Sequence, residues 1–297
     1  MGKMTATSTG PTSLTARVLR ALSVFGSIEL ITMACTVIRT KLVAIWIGAA
    51  GVGIITLYNS TMEMLRAMMQ LNLRQSAVRQ ISAAPASSRA VEVTAARRCG
   101  IAIGLVSAII TALLAPLLSR ITFDSSDYTI GFLFLALTMA ATAVSAARSA
   151  ILQAIGRLQA LARASLRAAL LSTVAAIVLF YYFRFDAIVP VLMVFPFSTL
   201  FFLLVERRGI PAKVNSPAVT PAMKAMLKLG GWLTVAASIT LVADYILRVY
   251  INNVASFDTL GYFQAGYTIV NSYIGIFFTA ISMEFFPRLS ATITRPM

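Results

Sequence analysis

The sequence contains no histidine and only two cysteines. Without histidine, the usual acid–base group at neutral pH and the commonest metal ligand are missing. Cys35 and Cys99 lie 64 positions apart, in or beside apolar runs. That spacing matches neither a metal-binding pair nor a disulfide framework, so reduced packing residues are expected. Neither a cofactor nor a metal site is indicated. Charge is also scarce. Only 12% of residues are charged, against about 25% in soluble domains. Carboxylates are the scarcest: 10 Asp and Glu stand against 25 Lys and Arg, for a net charge of +15. There is no DxD-type carboxylate pair in a large loop and no evident soluble domain. These absences argue against an enzyme such as a sugar polymerase or glycosyltransferase. Ten-residue segments of alternating polarity are lacking too, which argues against a membrane β-barrel. The first apolar segment carries no convincing small-residue cleavage site and reads as a retained span.

What is present is apolar. Hydrophobic residues make up 59% of the chain, and the mean hydropathy is +0.85. A soluble domain is about 45–50% apolar. A transmembrane helix needs about 20 apolar residues, and runs of that kind recur along the whole chain. Eight spans are predicted, at 20–46, 52–76, 98–119, 129–153, 165–184, 187–206, 226–252 and 257–287. The fold class expected is an all-α polytopic membrane protein.

The basic residues then fall into place. With the N-terminus cytoplasmic, all but Arg39, Lys41, Arg66, Arg120, Arg184 and Arg248 fall at cytoplasmic ends or loops. This is the positive-inside asymmetry. It accounts for the excess charge without a nucleic-acid partner and puts both termini in the cytoplasm. The softest connection is RRGIPAKVNSPAVTPAMK, residues 207–224, with three prolines, a glycine and basic residues. Such composition marks a linker. The expected organisation is a cytoplasmic segment 1–19, a six-helix bundle 20–206, a linker 207–225, and two helices of a second bundle, 226–297.

A weak internal repeat supports this division. Arg39 to Arg79 and Arg248 to Arg288 each span 40 positions, with Gly53 and Gly261 between them. Tyr58 and Tyr267 match at the same 209-residue offset. A six-helix unit returns the chain to its starting side, so its copy is a parallel repeat about an axis along the membrane normal. A complete two-copy protein would then exceed this length. The expectation is therefore a chain truncated within its second copy, or one completed by another polypeptide.

Charges inside spans cost about 2.5–3.5 kcal/mol each on insertion scales and face protein or water. Here they form stripes. Span one carries Glu29, Thr32, Thr36 and Arg39; span two carries Asn59, Glu63, Arg66, Gln70 and Arg74. Span seven carries Asp244, Arg248 and Asn252; span eight carries Gln264, Thr268, Asn271 and Gly275. Steps of three and four residues put side chains on one helical face. The four faces together imply a shared hydrated cavity. Glu63 with Arg66, and Asp244 with Arg248, are also spaced to pair within their own helices. Gly100, Gly104, Ser107 and Thr111 make a small-residue face for close helix packing.

Two stretches carry a family resemblance. VIRTKLVAIWIGAAGVGIITLYNS (Val37–Ser60), followed by SAVRQIS (Ser76–Ser82), resembles the first helix pair of Wzx-type O-antigen translocases. LGYFQAGYTIVNSYIGIFFTAISMEFFPRLSA (Leu260–Ala291) resembles a later helix of theirs ending in a YYPRLS-like motif. These flippases of lipopolysaccharide biosynthesis belong to the multidrug/oligosaccharidyl-lipid/polysaccharide exporter superfamily. The family has twelve or more helices, so most of a second bundle would be absent here.

The resemblance implies an inner-membrane flippase for undecaprenyl-pyrophosphate-linked oligosaccharide, working by alternating access. Its partners would be the lipid-linked oligosaccharide, membrane lipids and other polysaccharide-assembly proteins. Arg39, Lys41, Arg66 and Arg248 would hold the diphosphate, since arginine offers bidentate, permanently charged donors. Asn59, Gln70 and Asn271 would meet hydroxyls. Glu29, Glu63, Asp244 and Glu284 would pair those arginines in the empty site or carry coupling protons. The lipid tail would stay in the bilayer through an opening between spans one and eight. The alternatives are a multidrug exporter of the same superfamily, which would want an anionic or aromatic cavity, and an inactive truncated remnant.

Overall fold

The computed structural model describes residues 11–206, 208–212, 214 and 216–270, with side chains from Ile31 onward apart from Met33, Thr36, Leu233, Ala236 and Ala237. Helix α1 runs Pro11–Met69, α2 Leu73–Ala83, α3 Arg89–Phe123, α4 Thr129–Ala154, α5 Leu158–Phe183, α6 Ile188–Val205 and α7 Val219–Val254. A further helix, α8, begins at 257 and continues to 270, the last described residue. No strand occurs among the described residues. The all-α polytopic architecture expected from composition is the one observed. In lipid a helix satisfies every backbone group internally, so long apolar runs have little other choice. Four stretches are long and apolar enough to cross a membrane: Val37–Met69, Arg89–Phe123, Thr129–Ala154 and Leu158–Val205. The last of these contains both α5 and α6, joined by the 3-10 turn Arg184–Ala187.

The first two expected spans are one rod broken at Gly48 (φ 71°, ψ −172°), a conformation that suits glycine. The second of them was expected to reach residue 76, but α1 ends at Met69. Leu71 and Asn72 adopt positive φ of 47° and 42°, and the backbone N–H of Gln70 closes on the Arg66 carbonyl at 2.9 Å. This turn splits off α2 as a separate amphipathic helix, burying Leu73, Ser76, Ala77 and Ile81. Helix α4 stops at a glycine cap. Arg157 N–H reaches Leu152 O at 2.8 Å and Gly156 N–H reaches Gln153 O at 3.1 Å, with Gly156 at φ 76°. Those two bonds satisfy carbonyls that the helix end leaves open.

Close packing follows the small residues. Gly100 and Gly104 of α3 lie against Ala140, Ala143, Val144 and Ala147 of α4, and Ser107 and Thr111 on the same face are buried. Helix α1 crosses the start of α8 with equal intimacy. A Cβ at Gly53 would overlap the Phe257 carbonyl oxygen, and one at Gly261 would overlap the Ala49 carbonyl oxygen. Near this crossing the rings of Tyr58, Phe123, Tyr128, Phe132 and Phe257 form a cluster. Tyr58 stands 4.9 Å from Phe123 and 5.0 Å from Phe132, and Phe123 stacks on Tyr128 at 4.1 Å. The linker lies along α3: Arg97 Nη2 donates to Pro211 O at 3.0 Å, and Val214 N–H donates to Thr94 Oγ1 at 3.1 Å. Cys35 and Cys99 are buried and unbonded.

Candidate functional site

Adjoining the aromatic cluster, with Tyr58 common to both, lies a cavity of about 330 Å³. The polar wall comes from α1, through Arg39, Thr40, Thr56, Asn59 and Arg66, and from α8, through Gln264 and Thr268. Arg39, Thr40, Asn59, Arg66, Gln264 and Thr268 belong to the stripes expected from three- and four-residue spacing, whereas Thr56 does not and the span-seven stripe, Asp244, Arg248 and Asn252, does not line the cavity. Facing the polar wall are Leu135 of α4, Phe180 of α5, and Val191, Leu192, Phe195 and Pro196 of α6. Thr138 and Thr142 of α4, with Val43, Val52, Ile55, Tyr58 and Met62 interleaved among the polar residues of α1, complete the lining. A second cavity, also about 330 Å³, lies toward the α1–α2 turn. It is lined by Glu63, Arg66, Gln70, Arg74 and Thr234, among others. Arg66 borders both cavities.

The arginines differ in how they are held. Arg248 is clamped. It pairs with Asp244 at 3.8 Å, donates from Nη1 to the Asp244 carbonyl at 3.3 Å and from Nε to Gln264 Oε1 at 3.4 Å, and lies 5.3 Å from the Tyr267 ring centroid. It does not line the central cavity, but Gln264, one hydrogen bond away, does. Arg66 donates from Nε to Met62 O at 3.2 Å, back along its own helix. The Arg248–Asp244 contact is a direct ion pair within one helix. No direct ion pair joins Arg39 or Arg66 to a described carboxylate, although Glu63 lies close enough to act electrostatically on Arg66. The Glu63–Arg66 pair allowed by spacing is not made: Glu63 is exposed, and the Arg66 guanidinium folds toward Met62. A half-buried guanidinium without a counter-ion is stabilised by water or by an anionic ligand.

The remaining candidates divide. Asn59 lines the central cavity and has no hydrogen-bond partner among the described residues. Gln70 lines the second cavity and is already engaged, donating to Thr142 Oγ1 at 2.7 Å and Met139 O at 3.4 Å. Lys41 is exposed and lines neither cavity. Two residues after Arg39, it lies about 200° round the helix, on a different face. Glu29 lies on α1 ahead of the first described side chain, and Asn271 and Glu284 lie outside the described residues. Sequence reasoning missed the apolar wall and the α4 threonines, because no charge marks them.

A family described as polysaccharide biosynthesis protein matches residues 47–294, most of the chain. The chain belongs to this family. Neither the curated proteins nor the solved structures contain a significant match. A member of the polysaccharide biosynthesis family that is helical and membrane-spanning thus carries a cavity lined by cationic, amide and hydroxyl groups from α1 and α8, threonines of α4, and hydrocarbon from α1, α4, α5 and α6.

Proposed function

We propose that this polysaccharide biosynthesis protein translocates a polyprenyl-diphosphate-linked oligosaccharide, an O-antigen-type repeat unit, across the bacterial inner membrane by alternating access, without acting as an enzyme. One observation carries the reading: Arg39 and Arg66 border a single cavity beside Asn59 and Gln264, and neither makes a direct ion pair with a described carboxylate. A diphosphate is a dense anion whose passage through hydrocarbon requires compensation, and guanidinium groups supply it with directed donors. Asn59, Gln264, Thr268 and Thr142 suit sugar hydroxyls. Arg248 stands behind Gln264, where release from Asp244 would bring a third guanidinium to the cavity. Family membership supports a polysaccharide substrate, and the resemblance to Wzx-type translocases narrows it to the lipid-linked unit. On this reading the protein lies in the inner membrane with both termini cytoplasmic, among the other polysaccharide-assembly proteins. The cavity then sits inward of a closed periplasmic end, sealed by the aromatic cluster and the Gly53–Gly261 crossing.

The test is complementation of a bacterial strain lacking its O-unit flippase, with the Arg39→Gln/Arg66→Gln double variant alongside. Surface O-antigen restored by the chain and lost in the double variant is the expected result. Restoration that is indifferent to both arginines would sink the proposal. Tight binding of a cationic dye with none of pyrophosphate would point instead to a multidrug exporter.

A further inference from the structure

The apolar wall of the central cavity is a poor surface for sugar. Hydroxyl groups brought against it would lose water without gaining partners. Helix α6, from Ile188 to Val205, carries no charged side chain. Its Ser198 is buried, and the Thr199 hydroxyl is used on the Phe195 carbonyl at 2.8 Å. The part of α6 that lines the cavity is hydrocarbon: Val191, Leu192, Phe195 and Pro196. Phe197 and Phe201, elsewhere on the same helix, are exposed. An apolar surface therefore continues from the cavity wall around α6 to the face that lipid would contact.

A polyprenyl-diphosphate sugar has three parts in fixed order: hydrocarbon, diphosphate, sugar. The cavity, of about 330 Å³, offers hydrocarbon without any polar side chain on α6, and on α1 guanidinium groups interleaved with Val43, Val52, Ile55, Tyr58 and Met62. We infer that Leu192, Phe195 and Pro196 form a subsite for the isoprenoid units next to the diphosphate, so that the carrier chain enters the cavity past α6. This rests on the proposed function and differs from an opening beside α8, where the chain would remain wholly in the bilayer. Specificity follows from it. The protein would select an isoprenoid diphosphate over a bare one, because only the former buries apolar surface on α6.

The experiment is calorimetric titration of the full chain in detergent with two probes, geranyl diphosphate and inorganic pyrophosphate. Geranyl diphosphate is expected to bind more tightly by about tenfold or more, the effect of removing roughly two methylene groups from water. Phe195→Gln and Leu192→Asn are expected to erase that advantage selectively, and Phe195→Leu to preserve it. Arg39→Gln is expected to weaken both probes. Equal affinities for the two probes overturn the subsite while leaving the anion site standing. So does a geranyl advantage that survives both wall variants, since it would reflect partition into detergent. Wall variants that weaken both probes alike also overturn it. Binding of neither probe removes the proposed function, and the subsite falls with it.

Discussion

Arg39 and Arg66 keep their charge at any physiological pH, so the chain retains two cations beside a cavity, neither in a direct ion pair with a described carboxylate, at some cost in stability. On the proposed function, the balance is recovered when an anion arrives. A hydrogen bond to a charged group contributes about 1.5–3 kcal/mol, which corresponds to roughly ten- to a hundredfold in affinity. Arg39→Gln and Arg66→Gln should each weaken pyrophosphate binding on that scale in titration calorimetry. Lysine at either position should restore only part of it, because an ammonium cannot form the bidentate fork. Lys41→Gln, exposed and off the cavity, should leave affinity unchanged within error. Asp244→Asn is the informative opposite. It removes the carboxylate that holds Arg248 at 3.8 Å and should tighten pyrophosphate binding several-fold. Unchanged binding would mean that Arg248 does not reach the cavity.

Between elements, the closest approaches are made by glycines. At Gly53 and Gly261 an added methyl group meets backbone carbonyl oxygen on the opposing helix, which no rotamer change relieves. Gly53→Ala should force α1 and α8 apart and lower stability by about 1–3 kcal/mol, the usual range for overpacking. Gly231→Ala is the control: nothing lies within 4 Å of its added Cβ, and loss of glycine's unfolded-state freedom should raise stability by about 0.4–1 kcal/mol. Thermal unfolding in detergent reads both. Equal melting temperatures for Gly53→Ala and the parent would show that the crossing yields freely. Helices of this sort were legible in the sequence because length and apolarity leave a membrane segment few options. The polar wall was legible because a polar residue at every third or fourth position stands out against hydrocarbon. The α1–α2 break was not, since Leu71 and Asn72 carry neither glycine nor proline to mark a left-handed turn. Lys41 was misplaced by proximity in sequence, two positions from Arg39 being the far side of a helix. The α6 wall was invisible for a deeper reason. In a membrane protein, residues facing lipid and residues facing an apolar cavity have the same composition, and only the fold separates them.

At the scale of the whole molecule, charge and architecture have to agree on one orientation. The turn at 84–88, between α2 and α3, adjoins the basic group Arg79, Arg89, Arg97 and Arg98. The turn at 124–128, between α3 and α4, lies at the opposite end of α3 and contains Asp124 and Asp127 but no basic residue. On the proposed orientation, positive-inside asymmetry would put the first turn in the cytoplasm and the second outside. Both turns carry an exposed serine, Ser87 and Ser126, while the native Cys35 and Cys99 are buried, so introduced thiols should label over a low background. In intact spheroplasts a membrane-impermeant maleimide should modify Ser126→Cys and spare Ser87→Cys, with the latter reacting only after lysis. The reverse pattern would invert the protein in the membrane and place the arginine cavity on the wrong side to receive a substrate made in the cytoplasm. Labelling of both positions in intact cells would break the assignment of α3 as a span, and with it the enclosure on which the role proposed for Arg39 and Arg66 depends.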